Sequence, residues 1–283
     1  MSLNAALFGE ETGGRGHDSV STHFRLLGPV EVWAQGGRVD IGHPKQRSVL
    51  AALLLDVNEV TPTATLIDRV WDDDPPASAR NVLYSYLANL RSALAGADAE
   101  LVRRSGGYLL LADPDSIDLH RGRRLIARTR EETTSDDRAA ALLSEALRQW
   151  RGTPFANLNG PWFERMRHAL EAERRVALLR RNDLYLHHGR HVELLSELHE
   201  LSFAQPLDEH LARQLMLALY RSGHRAAAFE HYQRVRRTLA DELGVDPGPD
   251  LRELHRQMLR NDLTLGVPPP AVAPRPVQRL PRS

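Results

Sequence analysis

The chain contains no cysteine and only one lysine, Lys45. Without thiols there is no disulfide framework, no iron–sulfur cluster and no thiolate zinc site. That composition suits a reducing compartment, and a cytoplasmic location is expected. No apolar run approaches the roughly 18–20 residues that cross a bilayer, so no membrane partner is expected. Residues 1–22 lack the basic and apolar regions of a secretory signal. They and the proline-rich residues 264–283 read as disordered tails. No glycine-rich loop follows a strand, so no nucleotide or other cofactor is expected. No set of base, nucleophile and oxyanion donors is visible, which argues against an enzyme. Formal net charge is zero, so the chain as a whole offers no electrostatic argument for a polyanionic partner.

What is present suffices for two domains: 283 residues, 42% of them apolar. Residues 23–41 alternate in polarity and are punctuated by Gly28-Pro29 and Gly36-Gly37, the pattern of a small antiparallel meander. Pro44 then opens the nearly all-apolar helix "KQRSVLAALLLDV". "TPTATLIDRVW" reads as a second helix with Thr61 or Thr63 as cap. After the acidic loop "DDDPPAS" comes a third helix, residues 78–94, followed by two strands around a Gly106-Gly107 turn. Strands, three helices and a closing hairpin make an α+β winged helix-turn-helix over residues 23–113, whose last helix enters the DNA major groove.

The third helix carries Leu83, Leu87, Leu90 and Leu94 on one stripe. Its opposite face holds Asn81, Ser85, Ala88 and Ser92, with Tyr84 and Asn89 at the margins and no acidic residue. A helix lying in a groove about 12 Å wide needs such a face; Asn reads adenine and Ser bonds either partner. Arg80, Asn81, Tyr84, Ser85, Asn89 and Arg91 are therefore candidate DNA contacts from the recognition helix. Arg103, Arg104 and Gly106 are candidates from the wing, and Lys45 and Arg47 are weaker backbone contacts. Residues 23–113 nevertheless hold nine basic against eleven acidic side chains. Only a local cluster of arginines can serve phosphates, which calls for two protomers on repeated half-sites.

Residues 117–263 are helical throughout. Gly189 and Gly223 lie 34 residues apart in matching strings, with Leu194 and Ala228 in equivalent small core positions. That is the tetratricopeptide period, and an all-α tetratricopeptide-like array of about three helix pairs is expected.

Several long strings carry a resemblance: "LGPVEVW", "HPKQRSVLAALLL", "LIDRVWDDDPPASARNVLYSYLANLRSAL", "LVRRSGGYLL", "ALRQWRGTPFANL" and the stretch from Gln205 to Leu259. From His23 to about Arg260 the chain resembles the Streptomyces antibiotic regulatory protein family of transcriptional activators. The first part is similar to the effector domain of two-component response regulators, the second to the bacterial transcriptional activator domain. The resemblance implies two protomers on double-stranded DNA with direct repeats near a −35 element. It also implies contact with RNA polymerase holoenzyme, and target genes in a secondary-metabolite cluster. The family's recognition helix commonly ends in a Ser-Arg-Leu-Arg-Arg-like string; Ala88-Asn89-Leu90-Arg91-Ser92 departs from it and implies a different operator.

Other groupings point to structure. Trp71, Trp150 and Trp162 read as core, and Asp72-Asp73-Asp74 as a solvated loop, since Pro75-Pro76 follow and calcium-ligand spacing is missing. His187, His188, His191 and Glu193 cluster, with 187 and 191 on one face if the helix continues, but repeat-turn histidines are the simpler reading and no metal is assigned. A tetratricopeptide-like scaffold whose N-terminal unit binds protein is the alternative to a DNA-binding activator. Residues 23–113 are expected to fold and bind DNA weakly by themselves, while residues 117–263 supply activation.

Overall fold

In a computed structural model, described over residues 22–266 apart from 73 and 132, the meander forms as expected. Strands β1 (His23–Arg25), β2 (Glu31–Ala34) and β3 (Gly37–Val39) lie antiparallel in that order, with Phe24 opposite Val32 and Val32 opposite Val39. Most of the two tails lies outside the described residues. Their inner ends are ordered: Thr22 is buried with its hydroxyl accepting from Asp98 N at 2.8 Å, and Leu265 is buried in a helical core.

Helix α1 (Pro44–Leu55) is buried along nearly its whole length, as its apolar sequence requires. Thr61-Pro62 is not a cap but a short strand, β4, and α2 (Thr63–Trp71) starts after it without a side-chain cap. Proline at a two-residue edge strand leaves no ladder donor unpaired, so the pairing is permitted there. Helix α3 (Ala79–Ala93) follows a seven-residue connection, and β5 (Ala99–Arg104) and β6 (Gly107–Ala112) close a second sheet ordered β4-β6-β5.

The chain forms two compact units, and the first is discontinuous in sequence. It runs to Asp118 and takes in Phe155–Trp162, a segment the sequence places in the helical half. The reason is backbone hydrogen bonding. The amides of Leu26 and Leu27, beyond the end of β1, have no ladder partner; the Asp118 carboxylate accepts both at 2.9–3.1 Å. Phe155 N donates to Leu26 O, Ala156 N to Gly28 O, and the Asn157 side chain pairs both ways with Val30 N and O at 2.7 and 3.2 Å. Phe155 itself is fully buried.

The second unit comprises Leu119–Pro154 and the described residues from Phe163 on. Its helices are α4 (Asp118–Arg128), α5 (Asp136–Leu147), α6 (Pro161–His187), α7 (His191–Ala204), α8 (Glu209–Arg221), α9 (Arg225–Leu243) and α10 (Pro249–Leu259). The 34-residue period is visible in its hydrogen bonds. His188 N, Gly189 N and Arg190 N donate to the carbonyls of Leu184, Leu186 and Tyr185; Ser222, Gly223 and His224 repeat this with Ala218, Tyr220 and Leu219. Both glycines are left-handed, at φ +73° and +82°, which is how a helix is closed before the next one starts. Leu194 and Ala228 are both buried in the same core.

Asp118→Ala leaves two buried amides without an acceptor and is expected to destabilise the first unit by roughly 2–4 kcal/mol, with Asp118→Asn losing less; urea unfolding followed by circular dichroism measures both. In the second unit, burial above all, with the charges of Arg234 and His199, pushes the His231 imidazole down to about 4. An unfolded histidine titrates near 6.5, so the unfolded chain takes up the proton first. The stability at stake is complete above about pH 6.5, declines as the pH falls towards about 4, and levels off below. A series of urea titrations across that window is expected to show a shallower decline for His231→Gln than for the parent chain.

Candidate nucleic-acid interface

The leucine stripe of α3 (Leu83, Leu87, Leu90 and Leu94) is buried, and the opposite face is open. Arg80, Asn81, Tyr84, Ser85, Ala88, Asn89, Arg91 and Ser92 are all exposed. The first turn of α3 holds no acidic residue, and its N-cap, Ser78, makes no side-chain cap bond. Local bonds preset part of this face. Ser85 Oγ donates to Asn81 O at 3.2 Å, which leaves the hydroxyl oxygen as an acceptor. Asn89 Nδ2 meets Oε1 of the buried Gln46 at 3.4 Å, so its amide is oriented from α1. Arg91 Nε donates to Leu101 O at 3.1 Å, tying the helix end to β5.

The wing differs from its expected form by one residue. Its two-residue turn is Ser105-Gly106, with Gly106 at φ +81°, and Gly107 already belongs to β6. The same shift occurs at Gln35-Gly36, where Gly37 starts β3. Gly107 is required for a different reason from Gly106: a Cβ there would stand 2.3 Å from Thr61 O. The close approach lets β4 pair with β6 and Thr63 N donate to Gly106 O at 3.1 Å, which anchors the wing to the start of α2. Arg103 and Arg104 are exposed beside the turn and, as neighbours on a strand, point to opposite faces of the hairpin. Tyr84 of α3 lies 6.4 Å from buried Tyr108 of β6, between helix and wing.

Lys45 and Arg47 of α1 are less open than the α3 face. Both are half-buried. The Lys45 ammonium donates to Val70 O at the end of α2, where a helix C-terminus favours a cation, and lies 6.0 Å from the Trp71 ring. The structure therefore uses Lys45 to hold α1 against α2.

Ion pairing answers the acidic surplus. Arg25 and Arg38 pair with Glu31 at 3.3 and 3.5 Å. The indole N–H of Trp33 foremost, then those two guanidiniums, hold the Glu31 carboxyl below its ordinary range. Arg69 pairs with Asp56 and lies 5.0 Å from the Trp162 ring. Asp72 is not simply solvated: its carboxylate accepts from Trp162 N at 3.0 Å. Among the described residues Arg80, Arg103 and Arg104 are in no ion pair, and they lie on α3 and the wing. Ala88, Ser92 and Ser105 complete the exposed surface; the helical period marks the first two, whereas Ser105 is hidden by the Gly-Gly pair that draws the turn one residue too far.

The other groupings resolve differently. Trp150 is buried, while Trp71 and Trp162 are half-buried, Trp71 stacked 6.1 Å from Tyr86. His187 and His191 are not on one helix, because α6 ends and α7 begins between them. His191 is buried and Glu193 pairs with Arg190. His187 and His188 instead approach Asp136 at 3.7 and 3.5 Å, an exposed grouping within reach of a cation.

Two domain families match the chain: "Transcriptional regulatory protein, C terminal" over residues 39–110 and "Bacterial transcriptional activator domain" over residues 117–259. The regulatory protein AfsR of Streptomyces griseus is 40% identical over 253 residues, covering 89% of this chain but only 26% of AfsR. This chain thus spans about a quarter of that relative. The regulatory protein DnrI of Streptomyces peucetius is 34% identical and is covered over 92% of its length. A solved structure of Mycobacterium tuberculosis EmbR in complex with a low-affinity phosphopeptide superposes with a TM-score of 0.79 at 35% identity, covering 85% of this chain and 65% of that one.

Gly107→Ala is expected to force β4 and β6 apart and cost roughly 1–3 kcal/mol, read as faster amide exchange at Tyr108 with the helical unit unaffected. With both domain families matched, and DnrI covered over 92% of its length, the chain belongs to the Streptomyces antibiotic regulatory protein family of transcriptional regulators, which are not enzymes.

Proposed function

We propose that this chain is a DNA-binding activator that places α3 in the major groove and the β5–β6 wing on the sugar–phosphate backbone. It does so as a pair of protomers on direct repeats near a −35 element, and the helical unit recruits RNA polymerase to a secondary-metabolite cluster. The observation that carries the reading is the outer face of α3: wholly exposed, free of acid, and flanked by Arg80, Arg103 and Arg104, which are in no ion pair among the described residues. Asn81 and Ser85 lie mid-face as base readers, while Arg80 and the uncapped helix start suit a phosphate. Asn89 and Arg91 contribute in the orientations that Gln46 and Leu101 impose. Few cations face the DNA, so one protomer binds weakly and pairing on repeats supplies affinity.

The acidic surplus of the first unit favours the alternative, a protein-binding scaffold. A mobility-shift titration against salt, with the chain's own upstream region as probe, separates the two. Binding is expected to weaken with salt, and Arg103→Ala with Arg104→Ala is expected to reduce the logarithmic slope by about one to two, equally on all sequences. Asn81→Ala is expected to cost roughly 1–3 kcal/mol on the preferred site and much less on random DNA. No shift at low salt favours the scaffold, and an unchanged slope removes the wing from the interface.

A further inference from the structure

The helical unit holds a cavity of about 330 Å³ that the DNA-binding reading does not use. His199, Ser202 and Phe203 of α7 face His231 and Arg234 of α9 across it, and Leu215 and Val235 supply an apolar wall. We propose that this cavity binds a small organic acid, an apolar body bearing one carboxylate.

The first support is a pair of buried polar atoms. Ser202 and His231 are 8% and 6% exposed, and neither Ser202 Oγ nor His231 Nε2 has a hydrogen-bond partner among the described residues. Buried polar groups are nearly always paired, so two orphans on residues that line one cavity are two donors left for a ligand. Each can donate, the serine through its hydroxyl and the imidazole through its Nε2–H tautomer. Two donors on facing helices suit a carboxylate.

Charge gives the second support. Arg234 lies one turn along α9 from His231, so its cation stands beside the donor pair. Glu242 lines the far end, eleven residues and about 16 Å further along the helix from His231. The acid group is thereby directed to the Ser202–His231 end. Because burial keeps the His231 imidazole neutral near pH 7, Arg234 supplies the cation there. One guanidinium and two neutral donors match a single carboxylate better than a phosphate. Thr238 is already engaged, donating to Arg234 O at 3.1 Å.

The third support is shape. Ligand sites are concave and mostly apolar with a few convergent polar groups, and this cavity sits at the small end of their range. Phe203 is 90% exposed at its rim, an aromatic surface that a ligand body would cover.

The test uses the full chain with four probes, benzoate, salicylate, 1-naphthoate and indole-3-acetate, each against its carboxamide. Binding is read from the His231 imidazole resonances, assigned with His231→Gln. At least one acid is expected to bind with a Kd below about 1 mM, tenfold or more tighter than its amide. Ser202→Ala and Arg234→Ala are each expected to weaken it at least tenfold while the circular dichroism of the chain is unchanged; should Arg234→Ala not fold, Ser202→Ala carries the test. The proposal is overturned if no acid moves the His231 signals at about 10 mM, if amides bind as well as acids, or if both variants bind unaltered.

Discussion

The first unit depends on how the backbone of residues 26–30 is satisfied. This segment runs on from β1 without a continuous neighbouring strand, and its side chains Leu26, Leu27 and Val30 are fully buried. Burial removes water as a partner, so each amide needs an acceptor from the protein. The acceptors come from far along the chain: the Asp118 carboxylate and the Asn157 side chain. Phe155 adds both a donor and a fully buried ring. A carboxylate is costly to bury, and it is tolerable here because several N–H groups converge on it.

With that edge closed, α1 can be buried along most of its length and serve as the platform for α2 and α3. Lys45 on the end of α2, Arg69 on Asp56, and Gln46 on Asn89 are each links from α1 or its flank to the helix-turn-helix. The same links sort the charges. Arg25, Arg38 and Arg69 are matched by carboxylates and Lys45 by a carbonyl, while among the described residues Arg80, Arg103 and Arg104 are in no ion pair and sit on α3 and the wing. A unit with an acidic surplus can thereby present a basic edge, because a counterion atmosphere responds to local potential and not to a total.

Much of this was legible from the residues. The leucine period of α3, its acid-free outer face and the 34-residue repeat are local patterns, and each survives because burial follows helical period. What was not legible needed a partner distant in sequence. Thr61-Pro62 is a strand only because Gly107 leaves room for it. Lys45 is engaged within the fold only because Val70 O is near. The Gly-Gly pairs misled by one residue because composition marks where left-handed backbone is cheap, whereas ladder register decides which glycine uses it. His187 and His191 share a face only if one helix spans both, and the left-handed Gly189 ends it.

The discontinuous first unit changes what a domain boundary means here. A cut after Asp115 follows the sequence expectation of a self-contained winged helix, but it removes Asp118 and residues 155–162 together. The buried amides of Leu26, Leu27 and Val30 would then lose their side-chain acceptors, and the place of the Phe155 ring would be empty. Loss of DNA binding in such a fragment would reflect that loss of packing and say nothing about α3. Nor could loss of transcription be assigned to the helical unit, since the two effects share one cause. The division of labour between recognition and activation is accessible only through substitutions that leave residues 118 and 155–162 in place: on α3 and the wing for one, on the exposed faces of α6–α10 for the other. The chain passes between the two units at 118–119, 154–155 and 162–163. The polymer that builds the proposed activating surface is therefore also the polymer that completes the proposed DNA-reading fold.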